Sequence, residues 1–217
     1  MDKQFAIFDM DGTLIDSMPY WGDLLYEYMA GLGLSEDQRE YLLYKTRRMN
    51  TSEAAVVLKQ ELGMRRTVMD IQMEMGDLMD RHYMSDIPLK PGIVPYLQRM
   101  VEEDVTLCVA TLTPTPLAKL CLERLDIAQY FDFLISCEDM GVDKSEPDIF
   151  LQCALQMGAP PFDVAVYEDS FRALRTAKRA GFYTVGVYDD SAAHHWEEIC
   201  MISDEIIRDW YEAAEEW

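Results

Sequence analysis

From residue 90 onward the chain alternates between short apolar runs and helical patterns, and this alternation restricts the possible folds more than any other feature. Residues 105–110 form a continuous apolar run of the kind found in a strand covered on both faces of a parallel sheet, and 133–136, 164–167 and 183–187 read as further strands. Between them lie helical patterns: one over Val94, Leu97 and Val101, one from about Leu117, one opened by Pro147 and closed by Gly158, and one over 171–180. Strand–helix alternation of this length predicts an α/β fold with a doubly wound parallel sheet.

Residues 5–8, Phe-Ala-Ile-Phe, form another such run, but a helical block from 18 to about 84 separates them from the rest. Trp21, Leu24, Leu25, Tyr28 and Leu32 fall on one helical face, and Gly31 and Gly33 end that helix. Ser35 with Gln38 reads as a capping box for a second helix through Arg48. A third helix runs over 52–62, and Val68, Ile71, Met75, Leu78 and Met79 mark a fourth. The block reads as a small helical domain, 17–87, inserted into a core domain of 1–16 and 88–217. The acidic end, Glu212 to Glu216, reads as a solvated helix face.

Lys and Arg number 19 against 40 Asp and Glu, a net charge of −21. That balance argues against nucleic acid or an anionic membrane as a partner. The five cysteines, Cys108, Cys121, Cys137, Cys153 and Cys200, form no Cys-x-x-Cys pair and mostly sit in apolar surroundings. They read as reduced thiols of a cytoplasmic protein. No signal peptide or membrane span is visible.

In an open α/β sheet the ligand lies outside the carboxyl ends of the strands. Asp9 and Asp11 follow the first strand, Thr111 the second, a loop reaching Lys144 the third, and Glu168 and Asp169 the fourth. Carboxylates crowded together raise one another's pKa, and a divalent cation relieves them. Hard oxygens suit Mg²⁺, which commonly binds carboxylates together with a substrate phosphate. Asp9 could then attack phosphorus, Asp11 could move the proton, and Thr111 and Lys144 could hold the remaining phosphoryl oxygens. Singly, each residue has a plain reading: Asp-x-Asp as a turn, Lys144 as a surface lysine, Glu168-Asp169-Ser170 as a helix start. Taken together they all fall at one end of successive strands, which the plain readings do not account for.

Asp9-Met10-Asp11-Gly12-Thr13, Thr111, Lys144-Ser145-Glu146-Pro147-Asp148-Ile149-Phe150 and Glu168-Asp169-Ser170 together resemble the four motifs of the haloacid dehalogenase-like (HAD) hydrolases. The likeness runs from residue 5 to about residue 190, and the helical insert resembles the cap of subclass I members. The resemblance implies a Rossmann-like core and magnesium-dependent phosphoryl transfer. It makes Asp9 the nucleophile, Asp11 the acid/base, Thr111 and Lys144 the phosphate holders, and Asp9, Asp11, Glu168 and Asp169 the metal site. Dehalogenating members lack the second aspartate, so Asp11 argues for phosphate chemistry. Leu112 stands where many members have asparagine, and Asp143 stands where glycine commonly precedes the lysine.

The motifs and cap also resemble the β-phosphoglucomutases, which place a histidine early in the cap; Trp21 occupies the corresponding spot here, favouring a phosphatase over a mutase. Trp21 reads first as a core residue of its helix and second as lining for the substrate chamber. Among the cap cations Lys45, Arg47, Arg48, Arg65 and Arg66, one could bind a second anionic group, against a plain reading as solvated charge. Tyr20, Tyr44, Met49, Met64, Met69 and Met73 read as helix packing, and His82, His194 and His195 take no catalytic role. A receiver-type phosphorylation switch would be shorter and lack the insert; a non-catalytic relative would be expected to have lost part of the acidic set. The expected partner is a small phosphorylated metabolite, a sugar phosphate or related monoester, bound by a monomer or weak dimer.

Overall fold

A computed structural model of the chain describes residues 3–47 and 49–216. Among them six strands form one parallel sheet: β1 (Phe5–Phe8), β2 (Thr106–Thr111), β3 (Phe133–Ser136), β4 (Val164–Glu168), β5 (Tyr183–Val187) and β6 (Glu205–Ile207). Their order is β3-β2-β1-β4-β5-β6. β1 pairs with β2 on one side and with β4 on the other, Phe8 lying opposite both Val109 and Tyr167. The order reverses beside β1, so a crevice opens at its carboxyl end, where Asp9 begins. β6 is a sixth strand that the apolar runs did not reveal; its three residues lie in a largely acidic segment.

The chain divides into two compact units. One runs to Met18 and resumes at Ile87; the other is Pro19–Asp86. The second holds most of α1 (Met18–Gly31) and all of α2 (Glu36–Thr46), α3 (Thr51–Glu61) and α4 (Val68–Ser85). Ser35, Asn50 and Thr67 each build a full capping box at the start of the helix that follows. In each, a side-chain oxygen takes a backbone N–H that the first turn cannot satisfy. α2 stops at Thr46, with Arg47 as its cap, short of the Arg48 end read from the sequence; Arg48 itself lies outside the described residues.

In the sheet unit the helices are α5 (Ile93–Glu102), α6 (Thr115–Arg124), α7 (Cys137–Met140), α8 (Asp148–Met157), α9 (Phe171–Arg179), α10 (Trp196–Ile202) and α11 (Trp210–Glu216). A core cluster brings Ile7, Cys108 and Val166 of the sheet together with Ile149, Phe150 and Cys153 of α8 and Ala173 and Ala177 of α9. Elsewhere in the core Phe8 stacks on Tyr167 at 4.2 Å, and Tyr96 of α5 and Trp210 of α11 pack beside them. α5 buries Ile93, Tyr96, Leu97 and Met100; Val101, expected on that face, is 44 % exposed. Of the expected stripe Leu97 is buried and Val94 half-buried, and the neighbours Ile93, Tyr96 and Met100 complete the covered face. Gly92 caps α5 with φ +86°, and a Cβ there would come within 2.5 Å of the Tyr211 amide nitrogen of α11.

Candidate active site

β1 ends at Phe8, and the Asp9 amide donates to the Tyr167 carbonyl at 2.9 Å, extending the ladder by one step and seating Asp9 next to the end of β4. The chain then turns sharply. Gly12 takes φ +85°, and a Cβ there would lie 2.6 Å from Asp169 Oδ2, so only glycine lets the loop rest on that carboxylate. The Leu14 and Ile15 amides donate back to the Met10 carbonyl at 2.9 and 3.0 Å, closing the turn.

Carboxylate oxygens of Asp9, Glu168 and Asp169, all buried, lie within 4.8 Å of one another. The Lys144 ammonium reaches into this group, donating to Asp9 Oδ1 and, at 2.7 Å, to Glu168 Oε1. Glu168 Oε2 accepts the Ser170 amide at 3.0 Å, so both oxygens of Glu168 already have partners inside the fold. Three carboxylates share one ammonium, which leaves excess negative charge. Burial raises the Asp9 carboxyl to about 8; the Lys144 ammonium opposes this, and Glu168 and Asp11 add to it. Asp169 is also held well above the ordinary carboxylate range, by burial first and then by Glu168, Asp9 and Asp189. Lys144 stays firmly protonated: its two carboxylate partners outweigh the effect of burial.

Asp11 is held differently. Its Oδ1 accepts the Ser17 hydroxyl at 2.7 Å and its Oδ2 the Thr113 hydroxyl at 2.8 Å. Neither donor was singled out from the sequence. The available signal was the spacing: Thr113 sits two residues past Thr111, where the chain leaves β2. Thr111 is fully buried, and its oxygen accepts the Thr113 amide at 3.0 Å, leaving its own proton for another acceptor.

Leu112, beside Thr111, is 58 % exposed. Trp21 is 41 % exposed and not a core residue; its indole N–H donates to the Tyr83 hydroxyl at 3.1 Å within the helical unit. Arg47 is exposed, its guanidinium 4.4 Å over the Tyr44 ring. Tyr44, Met49, Met69 and Met73, read as packing, are exposed.

A family model for haloacid dehalogenase-like hydrolases matches residues 4–181. Hexitol phosphatase B of Escherichia coli K12 is 27 % identical over 188 residues, covering 84 % of this chain and 82 % of that protein. The phosphoglycolate phosphatase of the same strain is 30 % identical over 205 residues, covering 86 % and 81 %. In fold, a Thermotoga maritima protein provisionally described as a β-phosphoglucomutase superposes with a TM-score of 0.79 at 23 % identity, covering 98 % of this chain and 99 % of that one. On this match, and with the strand-end acids placed as described, the chain belongs to the haloacid dehalogenase-like hydrolase family.

Proposed function

We propose that this chain is a magnesium-dependent phosphatase that hydrolyses a small phosphorylated metabolite, a sugar phosphate or related monoester, through an aspartyl phosphate. The observation that carries the reading is the buried meeting of Asp9, Glu168 and Asp169, with the Lys144 ammonium paired to the first two. The phosphatase names of the two curated relatives support it.

The donor set fits Mg²⁺: all oxygen, buried, and over-supplied with negative charge relative to one lysine. Asp9 and Asp169 would hold the ion, with Glu168 directly or through water and Asp11 through its backbone carbonyl. When bound, it would neutralise charge among these carboxylates and on a phosphate. In this reading the Asp9 carboxylate attacks phosphorus, and the bond from phosphorus to the leaving oxygen breaks. Asp11, carrying the proton, gives it to that oxygen; as a carboxylate it then takes a proton from the water that hydrolyses the aspartyl phosphate. The Lys144 ammonium and the Thr111 hydroxyl hold the phosphoryl oxygens that are not transferred. Ser17 and Thr113 orient the Asp11 carboxyl for both proton transfers. The helical unit selects the substrate, with Trp21, Arg47 and Arg48 as candidate contacts and Leu112 added from the core. The same reading makes the enzyme a cytoplasmic monomer or weak dimer, consistent with its free cysteines.

The test is phosphate release from a panel of sugar and other metabolite phosphates, with Mg²⁺ and with chelator. Metal-dependent release that Asp9→Asn abolishes is the expected result. Full activity of Asp9→Asn, or exchange of phosphate between hexose positions in place of release, would overturn it.

A further inference from the structure

A second lysine, Lys90, has no role in the phosphatase reading. The segment leaving the first motif and the segment arriving from the helical unit pair as a short antiparallel ribbon. Asp16 N–H donates to the Pro88 carbonyl at 2.9 Å, Lys90 N–H donates to the Leu14 carbonyl at 2.9 Å, and Ile15 bridges Leu89. The Arg124 guanidinium of α6 also donates to the Ile87 carbonyl. Lys90 Nζ then ties this ribbon to the sheet. It donates to Asp16 Oδ1 at 3.1 Å and to Asp189, which follows β5. Asp189 is 3 % exposed, and its other oxygen is fixed by the Ser191 amide at 2.9 Å, so the anchor is part of the fold and not a loose surface charge. Its charge also reaches Asp169.

The residue after Asp16 is Ser17, fully buried, whose hydroxyl holds Asp11 Oδ1. A continuous series of contacts therefore runs from the end of β5 to the second aspartate: Asp189, Lys90, Asp16, Ser17, Asp11. Lys90 sits at the only point in that series where an ion pair bridges the ribbon and the sheet. A surface lysine with one exposed partner would be worth little; one seated between two carboxylates, one of them buried, is costly to remove because it strands the buried charge.

We propose that Lys90 is a positioning residue for the reaction: by bridging Asp16 to Asp189 it sets the ribbon so that Ser17 presents its hydroxyl to Asp11, and so aims the proton-handling carboxyl. The proposal rests on the phosphatase reading for its catalytic consequence, and on geometry alone for the ribbon itself.

The experiment uses the full chain with p-nitrophenyl phosphate and Mg²⁺. Lys90→Met is expected to lower kcat by about 10- to 100-fold with KM little changed, the loss typical of a slightly misplaced catalytic group. Lys90→Arg should recover most of the activity, since a guanidinium can still span the two carboxylates. Because Lys90 acts through Ser17, Lys90→Met placed on Ser17→Ala should lower kcat by no more than about threefold further. Lys90→Met leaves Asp189 buried without its cation, so Asp189→Asn in the same chain provides a variant with no stranded charge. Unchanged kcat in Lys90→Met/Asp189→Asn, or losses of Lys90→Met and Ser17→Ala that multiply in full, would overturn the proposal.

Amide exchange reads the ribbon independently of turnover. Faster exchange at Asp16 and Lys90 in Lys90→Met is expected; unchanged protection overturns the claim that Lys90 sets the ribbon. Lack of turnover by the unsubstituted chain would overturn the phosphatase reading and the catalytic half of this proposal, while exchange would still decide the ribbon.

Discussion

At the scale of single residues, the site is a competition among carboxylates for too few positive charges. Asp9 is raised from 3.8 to about 8, chiefly by burial. A carboxyl with a folded-state pKa above its unfolded value binds its proton more tightly when folded. Its contribution to stability is therefore present at low pH and is lost as pH rises through about 8. Asp169 acts with the same sign. The expected outcome is a chelated protein whose Tm falls between about pH 5 and about pH 9, and a rise in Tm on adding Mg²⁺ that is largest at the alkaline end. Equal Mg²⁺ stabilisation at both ends would contradict it. Thr113→Val removes a hydroxyl that bonds Asp11 at nearly constant volume. It should lower kcat by about tenfold, and Thr113→Ser should restore it; a Thr113→Val enzyme of normal kcat would remove Thr113 from the site. The acids were legible in the sequence because strand ends deliver them to one rim whatever the loops do. Ser17 and Thr113 were not. Their roles are side-chain hydrogen bonds, one of them between positions 102 apart in sequence, and hydroxyls of that kind are common in any chain.

At the scale of elements, the helical unit depends on its first turns. Asn50 accepts the Glu53 amide at 2.9 Å, and the Glu53 side chain returns to the Asn50 amide at 3.0 Å. Asn50→Ala should destabilise the fold by about 1 kcal/mol, read by denaturant unfolding, with no change in the p-nitrophenyl phosphate rate constant. Strands over 133–136 and 183–187 were legible to the residue, since short apolar runs between helical patterns mark the strands of a parallel sheet. Helix faces were harder to read. Trp21, Met69 and Met73 lie at helical spacing in a chain rich in methionine, yet all three are exposed. Periodicity marks an apolar stripe, but not whether a neighbouring element covers it. Short elements gave no periodic signal at all: α7 has four residues and β6 three.

At the scale of the whole molecule, the thiols report on the sheet unit. Cys108, Cys121, Cys137 and Cys153 are buried and Cys200 is partly exposed. A thiol reagent should label Cys200 rapidly in the native protein and all five cysteines in denaturant; rapid native labelling of Cys108 or Cys153 would mean that the core is loose. The nested order of the chain was legible because a single apolar strand needs partners, and its partners all lie beyond the helical block. The fine pairing of the chain on either side of that block was not legible, since it rests on backbone hydrogen bonds that any side chains permit. That ribbon also bears on how the chain folds. β1 has to find β2 in the register Phe5 to Thr106, closing a long loop of chain. Closure entropy grows with the length of chain left free. Asp16 meets Pro88, so once the stretch between them has ordered itself, the search is shortened to the residues outside it. The two ribbon hydrogen bonds, Asp16 to Pro88 and Lys90 to Leu14, therefore mark where a slow, non-local pairing becomes a nearly local one.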